Sequence, residues 1–266
     1  CYNDPHVVTA VDSAVRQSWP KKEIIVIDDG SNEETRKIIS SVKNKIDILL
    51  TQKNSGQSVA RNNGIKKAAG KYILNLDSDD YFEPEFAAKA IKQFEEDNLI
   101  RIVTCKARRF NDKGIIDLYT PQGGALHDFL FLNAALGSAM FKRDDWELTG
   151  GYEENLPILG FEDWEFYIQL LKNGGCAFVI PEVLFNYRVR QNSTTAQIKH
   201  LKQEKFKQII LKHRDLYKDN FEALMQDLFN RLENKEREKS KILNSIEQKT
   251  GNLLLKPFRF IKALIR

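Results

Sequence analysis

The chain has 266 residues, which is enough for one large α/β domain with an additional segment. With 42% hydrophobic and 29% charged residues it has the composition of a folded globular protein rather than a disordered chain, and no run approaches the ~18 apolar residues of a membrane-spanning helix. Residues 1–199 carry 25 Lys and Arg against 28 Asp and Glu, whereas residues 200–266 carry 16 against 9, and this acidic body argues against nucleic acid as a partner.

Two hydrophobic periodicities alternate over the first hundred residues. Short, β-branched apolar runs predict strands at residues 23–27, 46–50 and 71–76. Amphipathic segments predict helices at residues 32–42, 57–69 and 84–96, with Gly70 as the C-terminal cap of the second and Pro84 in the first turn of the third. This alternation predicts the α/β fold class, with a Rossmann-like, mainly parallel sheet flanked by helices.

The pattern is less regular in the rest of the chain. Further strands are predicted at residues 101–110 and 139–141, and two more, 176–180 and 183–188, on either side of Pro181. Lys113-Gly114 is typical of a hairpin turn, and residues 161–172 of a helix. From about residue 196 onward, the abundance of Lys, Glu, Gln and Leu predicts a helical extension.

Two acidic clusters directly follow predicted strands: Asp28-Asp29 follows the first strand, and Asp77-Ser78-Asp79-Asp80 follows the third. Because ligands of open α/β sheets bind beyond the carboxyl ends of the strands, both clusters are expected to face one crevice. Carboxylates at i and i+2 can converge on a hard divalent cation, which keeps positions for diphosphate oxygens. Two plainer interpretations stay open, namely a solvated acidic turn for the second cluster and a helix cap by Ser31 or Asn32 beside the first.

Four segments of the chain resemble the family 2 glycosyltransferases of the GT-A fold. They are CYN at 1–3, VIDDGS at 26–31, NSGQSVARNNGIKKAAGKYILNLDSDD at 54–80 and GFEDWEF at 160–166. The segments occur in the order and spacing of that family, and the resemblance extends over roughly residues 1–195. It implies an enzyme that moves a sugar from a nucleotide-diphosphate donor, with a UDP-type donor favoured, to a glycan or lipid-linked acceptor.

The resemblance also implies roles for individual residues. For the donor, it gives Tyr2 as the aromatic that stacks on the base, Asp29 as the carboxylate that reads it, and Asp77 as the partner of the ribose. For the diphosphate, it gives Arg61, Asp79 as the ligand of a Mn²⁺ or Mg²⁺ cofactor, and Arg190 in a basic loop where many relatives carry a His. Arg190 stands in place of that His, which leaves a His metal ligand there in question.

Asp163 matches the catalytic base of the family, and Glu162 and Trp164 lie beside it on the acceptor side. An inverting transfer needs a carboxylate that takes the acceptor proton as oxygen attacks the anomeric carbon opposite the diphosphate. The neighbouring apolar side chains are expected to raise the proton affinity of that carboxylate. From local sequence alone, an acidic residue that complements the helix dipole fits equally well, and Trp164 is either a core residue or a platform for a sugar ring.

Two departures from the family pattern sharpen the interpretation. The apolar strand that precedes CYN in the family is absent, which predicts a longer natural protein. No Q-x-x-R-W motif follows the acidic pair, which favours addition of single sugars over processive polymerisation. Three alternatives are weighed. A noncatalytic nucleotide-sugar binding module is expected to lose Asp79 or Asp163, and both are present. A nucleotidyltransferase needs a Gly-rich basic loop, which residues 1–10 do not offer, and a glycoside hydrolase has no need of Asp29 or Arg61.

Two domains are predicted, a GT-A catalytic domain at 1–199, whose first strand would lie upstream, and a basic helical extension at 200–266. Residues 256–266 place apolar and basic side chains on different faces of a helix, which suits either an anionic membrane surface or packing in a core or a homodimer contact. Cys1, Cys105 and Cys176 lack disulfide or zinc spacing and suit a reducing compartment. We therefore expect a cytoplasmic protein, peripheral on the inner face of the membrane if the last helix binds lipid.

Overall fold

The computed structural model describes residues 1–190, 199–245 and 250–251. By internal contacts the chain divides into two units, Cys1–Leu216 and Tyr217–Arg266. Across the described residues the strands are β1 (Ile25–Asp28), β2 (Ile48–Thr51), β3 (Tyr72–Leu74), β4 (Tyr81–Phe82), β5 (Ile100–Asn111), β6 (Gly114–Tyr119), β7 (Met140–Lys142) and β8 (Cys176–Arg188). The helices are α1 (Val7–Val15), α2 (Glu33–Ser41), α3 (Gln57–Lys67), α4 (Phe86–Glu96), α5 (Leu126–Phe129), α6 (Arg143–Thr149), α7 (Glu162–Leu171), α8 (Lys202–Lys212), α9 (Arg214–Asp219) and α10 (Phe221–Asn244).

The strands form two sheets. In the smaller sheet β1 and β2 pair in parallel. The larger sheet has the order β3-β7-β5-β8-β4, with β6 paired to β5 as an antiparallel hairpin. Its long central strands β5 and β8 are parallel, whereas β3, β4 and β7 run antiparallel to their neighbours. The predicted fold class, with flanking helices and a helical C-terminal region, is confirmed, and the larger sheet is mixed rather than mainly parallel.

Most predicted elements are present, with shifted ends. Asn32, one of the two predicted caps, begins α2 by accepting a hydrogen bond from the Thr35 N–H at 2.9 Å. Helix α3 ends at Lys67 with Ala68 as its cap, so Gly70 lies beyond the helix terminus. The two strands predicted around Pro181 are one strand, β8, whose pairing with β5 shifts register there. Proline lacks the N–H that a regular ladder needs, and a bulge accommodates it.

Helix α1, strand β4 and helix α6 are absent from the sequence prediction. Helix α1 contains four valines among its nine residues, and β-branched side chains disfavour helix on local grounds. Its helical conformation is stabilised by burial of Val7 and Val11 against Val26 and Ile39 of the β1–α2 region. Tertiary packing therefore outweighs local propensity in this segment.

Helix α7 lies inside the main hydrophobic core of the first unit. Nine of its ten residues are buried, from Glu162 to Leu171 with Asp163 as the exception. Phe166 is stacked on Tyr152 with ring centroids 4.2 Å apart and meets Phe141 edge-on at 5.0 Å. A helix buried on all sides is held in one place, so the residue at its N-terminal turn has a fixed position.

The second unit consists, over its described residues, mainly of α10. This helix of 24 residues has no buried side chain, and Phe221, Phe229 and Leu232 are each about half exposed. The division between the units at Leu216 falls within the segment that the sequence analysis assigns to the extension. The predicted membrane or dimer contact of residues 256–266 lies outside the described residues.

Candidate active site

The carboxylate of Asp29, at the end of β1, holds the loop that leads into α3. It accepts hydrogen bonds from Gln52 Nε2 at 2.8 Å, from the Ser55 N–H at 2.8 Å and from the Gly56 N–H at 3.0 Å. The Asp29 N–H donates to the Cys1 carbonyl at 2.9 Å, which brings the N-terminal residues to the same place. Tyr2, which follows Cys1, is 52% exposed, so its ring is available to a ligand beside Asp29.

Helix α3 presents two polar side chains to the acidic cluster after β3. Gln57 and Arg61 are four residues apart and therefore share a helix face. Arg61 Nη2 lies 2.7 Å from Asp77 Oδ1, and Gln57 Nε2 donates to the same oxygen at 3.0 Å. The Arg61 guanidinium also lies 5.3 Å from the centre of the buried Tyr152 ring. A cation held between a carboxylate and an aromatic face is in place to meet an anionic ligand.

Arg190, which follows β8, reaches the second carboxylate of the cluster. Its Nη2 lies 2.5 Å from Asp79 Oδ2 and 3.2 Å from Asp4 Oδ2. Burial, together with the charges of Asp77 and Asp4, raises the pKa of Asp79 to about 6, although Arg190 lowers it. Asp79 therefore lies in an excess of negative charge that a cation relieves.

Asp80, the last residue of the acidic cluster, is turned away from solvent. Its carboxylate accepts the Arg188 N–H at 2.7 Å and so joins the cluster to the end of β8. Burial, followed by the charges of Asp79 and Asp77, raises the pKa of Asp80 well above its ordinary value. This contact fixes the chain just before Arg190, which explains how the two segments meet.

The acidic cluster fits a hard divalent cation in its chemistry. Mg²⁺ is usually bound through one or two carboxylates together with substrate phosphates and water, and Asp79 supplies such an oxygen. Among the residues that the structure describes, no group of three or more His, Cys, Asp or Glu side chains is arranged to hold a metal ion. A cation at Asp79 would thus take its remaining ligands from the donor and from solvent.

Asp163 lies in the first turn of α7, close enough to Arg61 and Asp77 for their charges to act on its carboxylate. Asn133 Nδ2 donates to its Oδ2 at 2.8 Å, and the Cα of Gly137 faces that oxygen so closely that a methyl group there would lie 2.8 Å from it. Tyr167 Oη donates to the carbonyl of Leu136 at 2.7 Å and so fixes the loop beside Asp163. Burial raises the pKa of Asp163, and the charge of Arg61 partly opposes that shift.

Glu162 and Trp164, the residues on either side of Asp163 in the chain, are both buried. Glu162 accepts the Gly160 N–H at 2.6 Å, and its pKa is raised by burial. Trp164 donates its indole N–H to the Phe129 carbonyl at 2.5 Å and stacks on Phe206 of α8 at 5.1 Å. The indole therefore lies in the core, and of the two roles that the sequence left open for Trp164, its burial favours the core role over a sugar platform. Glu162 shapes the turn before the helix.

Several residues of the crevice were not identified from the sequence. Gln57 shares a helix face with Arg61, and that spacing was a usable signal. Asp4, Asn133 and Tyr152 meet the crevice through contacts between segments distant in the chain, which no local pattern indicates. Arg61 is nevertheless paired with Asp77 and Arg190 with Asp79, and the charges of Arg61 and Asp77 act on Asp163.

The chain is similar in sequence to known proteins. The family model for glycosyl transferase family 2 matches residues 1–147. A putative teichuronic acid biosynthesis glycosyltransferase of Bacillus subtilis, TuaG, is 29% identical over 197 residues, which is 72% of this chain and 77% of that protein. The Escherichia coli UDP-Glc:alpha-D-GlcNAc-diphosphoundecaprenol beta-1,3-glucosyltransferase WfgD is 25% identical over 76% of this chain and 80% of its own length.

Solved structures show the same fold. S. aureus TarS 1-349 in complex with UDP-GlcNAc superimposes with a TM-score of 0.60 at 20% sequence identity, over 73% of this chain. The chain spans only 58% of that TarS chain, and it spans 24% of the Pasteurella multocida chondroitin synthase, another relative. At this identity the structural match concerns the fold.

Proposed function

The chain belongs to glycosyl transferase family 2, and we propose that it transfers single sugars from a nucleotide-diphosphate donor to an acceptor hydroxyl with inversion at the anomeric carbon. Its relatives act in polysaccharide and glycoconjugate synthesis, as the names of TuaG and WfgD state. The observation that carries the proposal is a partly buried carboxylate, Asp163, that lies near the Arg61–Asp77 ion pair, with Asp79 beside Asp77.

The donor is proposed to bind along the ends of β1 and β3, with its base at Tyr2 and Asp29. A carboxylate offers about four lone-pair positions, and Asp29 uses three for the loop, which leaves one for a nucleobase N–H. Asp77 is assigned to the ribose, and Arg61 and Arg190 to the diphosphate. A UDP-type donor is favoured because TarS was crystallised with UDP-GlcNAc and the name of WfgD specifies UDP-Glc.

Asp79 is the proposed ligand of a Mn²⁺ or Mg²⁺ ion. When bound, such an ion stabilises the negative charge that develops on the departing diphosphate. The chain's own contribution is to hold the Asp79 carboxylate in a partly buried, acidic environment, where a cation is more strongly attracted than in water. Arg61 adds a fixed positive charge near the same phosphates.

Asp163 is the proposed catalytic base. As the acceptor oxygen forms its bond to the anomeric carbon, the carboxylate takes the hydroxyl proton, and the bond from that carbon to the diphosphate oxygen breaks on the opposite face. A base is most effective when its pKa approaches the working pH, and burial raises the pKa of Asp163 in that direction. The Asn133 amide fixes the orientation of the carboxylate.

The acceptor is proposed to be a glycan or a lipid-linked saccharide, as in the name of WfgD. Among the residues described, no helix is both long and apolar enough to cross a membrane. Peripheral membrane contact through residues 256–266, a homodimer and a cytoplasmic location remain proposals. Glu162 and Trp164 are proposed to position the acceptor side. Glu162 does so through the turn before α7, and Trp164 through its packing in the core.

A donor screen tests this function. UDP-, GDP- and dTDP-sugars are titrated calorimetrically with and without Mn²⁺, and slow hydrolysis of each donor is followed for wild type, Asp79→Asn and Asp163→Asn. We expect one donor to bind only with metal, Asp79→Asn to lose that binding, and Asp163→Asn to bind normally but to hydrolyse the donor about 10³-fold more slowly, since water is then the acceptor that the base deprotonates. Asp12→Asn, at a surface ion pair with Lys45, is the matched control.

The possible outcomes separate the two candidate functions. Donor binding without turnover, unaffected by Asp163→Asn, would indicate a noncatalytic nucleotide-sugar binding module. If no nucleotide sugar binds to the folded wild-type chain with or without metal, the proposed donor site is wrong. Equal losses in Asp12→Asn and in the two site variants would attribute the effect to general electrostatics.

A further inference from the structure

One guanidinium nitrogen joins two carboxylates at the donor side of the crevice. Arg190 Nη2 lies 2.5 Å from Asp79 Oδ2 and 3.2 Å from Asp4 Oδ2. The Arg190 side chain is 40% exposed, whereas those of Asp79 and Asp4 are 17% and 4% exposed. The cation therefore comes from the solvent side and the two carboxylates are the buried partners.

Asp4 is itself fixed in place. Its Oδ1 accepts the His6 N–H at 2.8 Å, and its Oδ2 accepts the Ser78 hydroxyl at 3.2 Å. Ser78 belongs to the same turn as Asp79, so Asp4 is tied to the acidic cluster independently of Arg190. Asp4 thus provides a permanent second contact for the guanidinium beside Asp79.

Asp79 Oδ2 has Arg190 Nη2 in direct contact at 2.5 Å, so a second cation that binds this oxygen meets the guanidinium there. Arg190 approaches this oxygen from the solvent side, since its side chain is 40% exposed against 17% for that of Asp79. A divalent cation on that carboxylate and a guanidinium in direct contact with it would repel each other at short range in a partly buried site. The two cations are therefore alternatives.

We propose that Arg190 and the divalent cation exclude each other at Asp79, and that Arg190 transfers its contact to the donor diphosphate when cation and donor bind together. This inference rests on the proposed donor and metal site. Before donor binding, Arg190, which Asp4 helps to hold beside Asp79, keeps the affinity of Asp79 for metal low. The diphosphate then removes the competitor, because its charge gives the guanidinium a bidentate partner. Metal and donor binding are consequently coupled.

The test measures Mn²⁺ binding, not activity. Electron paramagnetic resonance titrations of free Mn²⁺ are made without donor on wild type, Arg190→Gln and Arg190→Lys. We expect Arg190→Gln to bind Mn²⁺ about tenfold more tightly than wild type, and Arg190→Lys, which keeps the charge, to stay nearer to wild type. Repeating the titrations with saturating UDP should show a smaller enhancement of Mn²⁺ affinity by UDP in Arg190→Gln than in wild type.

Arg188→Gln is the control for the general loss of a positive charge. Arg188 Nε contacts the Asp79 carbonyl at 3.2 Å, and its guanidinium stacks on Phe110 and is not paired with the Asp79 carboxylate. We expect its Mn²⁺ affinity to rise by less than that of Arg190→Gln, because the Arg188 guanidinium does not contact the Asp79 carboxylate. Equal effects of Arg188→Gln and Arg190→Gln, or no effect of Arg190→Gln, overturn the exclusion while leaving the metal site intact. If Mn²⁺ binds wild type and Asp79→Asn alike even with UDP, the metal role of Asp79 fails, and the exclusion fails with it.

Discussion

Replacement of Gly137 by alanine should displace the carboxylate of Asp163, the proposed base, without disturbing the fold. A methyl group on Gly137 would lie 2.8 Å from Asp163 Oδ2, and its next contact is Asp163 Cγ at 3.6 Å. The backbone of Gly137 is outside the left-handed region, so alanine fits its conformation. The loop is fixed by the Tyr167 hydroxyl, which donates to the Leu136 and Gly137 carbonyls. The Asp163 side chain must therefore move.

The size of the displacement follows from the contact distance. Ordinary contacts of a Cβ atom begin at 3.4 Å, so Oδ2 has to retreat by about 0.6 Å. Since a misplacement of 1 Å costs about 100-fold in rate, 0.6 Å should lower kcat by about tenfold to thirtyfold. The same oxygen accepts the Asn133 amide, and that hydrogen bond is bent or lost. Stability should change by less than about 1 kcal/mol, because the loss of glycine's freedom in the unfolded chain offsets part of the strain.

Three measurements on Gly137→Ala check this reasoning: kcat with saturating donor, the donor Kd by calorimetry, and the midpoint of urea unfolding. We expect a lower kcat with donor Kd and midpoint nearly unchanged. Gly70→Ala is the matched control, since a methyl there meets its nearest atom at an ordinary 3.4 Å. If kcat is unchanged in Gly137→Ala and Asp163→Asn also remains active, Asp163 is not the base.

Two further predictions concern charges in the core and at the site. Lys212→Met removes a cation 2.7 Å from the fully buried Glu165 carboxylate, and we expect the free energy of unfolding in urea to fall by about 2–4 kcal/mol. Lys89→Met, which breaks an ion pair between more exposed side chains, is the control and should cost less than about 0.5 kcal/mol. Because Asp163 must be ionised to accept a proton and burial raises its pKa, kcat should fall as the pH drops through a midpoint above that of an ordinary aspartate. The charge of Arg61 lowers this pKa, so in Arg61→Gln the midpoint measured at saturating donor should move to higher pH, and an unmoved midpoint would contradict the assignment.

The parts of the site that the sequence predicts are those set by local pattern. Asp29 and Asp77 follow strands whose apolar runs are visible in sequence, and the end of a strand determines where the next residues lie. Gln57 and Arg61 share a helix face by spacing alone. The acidic residues and Arg61 were therefore identified together with the sheet edge that they occupy.

Other features depend on contacts that only the folded chain reveals. Asn133 meets Asp163 across 30 residues, and Asp4 meets Arg190 from the opposite end of the first unit. The role of Trp164 stayed open in the sequence because its partner, Phe206, lies in a helix outside the family resemblance. In each case the residue type is common in loops or cores, so only its contacts with distant segments show which part of the site it belongs to.

The donor-side carboxylates and Asp163 of the proposed site are held in place by different parts of the chain. The family model ends at residue 147, so it contains Asp79 and the other donor-side carboxylates but not Asp163. Asp163 depends on α7, and two residues further along that helix the fully buried Glu165 is paired with Lys212 at 2.7 Å and His213 at 2.8 Å. A buried carboxylate is strongly destabilising without such partners, so the packing of α8 against α7 helps to hold α7 in place. Changes in residues 202–213 should therefore affect proton transfer at Asp163 more than donor affinity at Asp79.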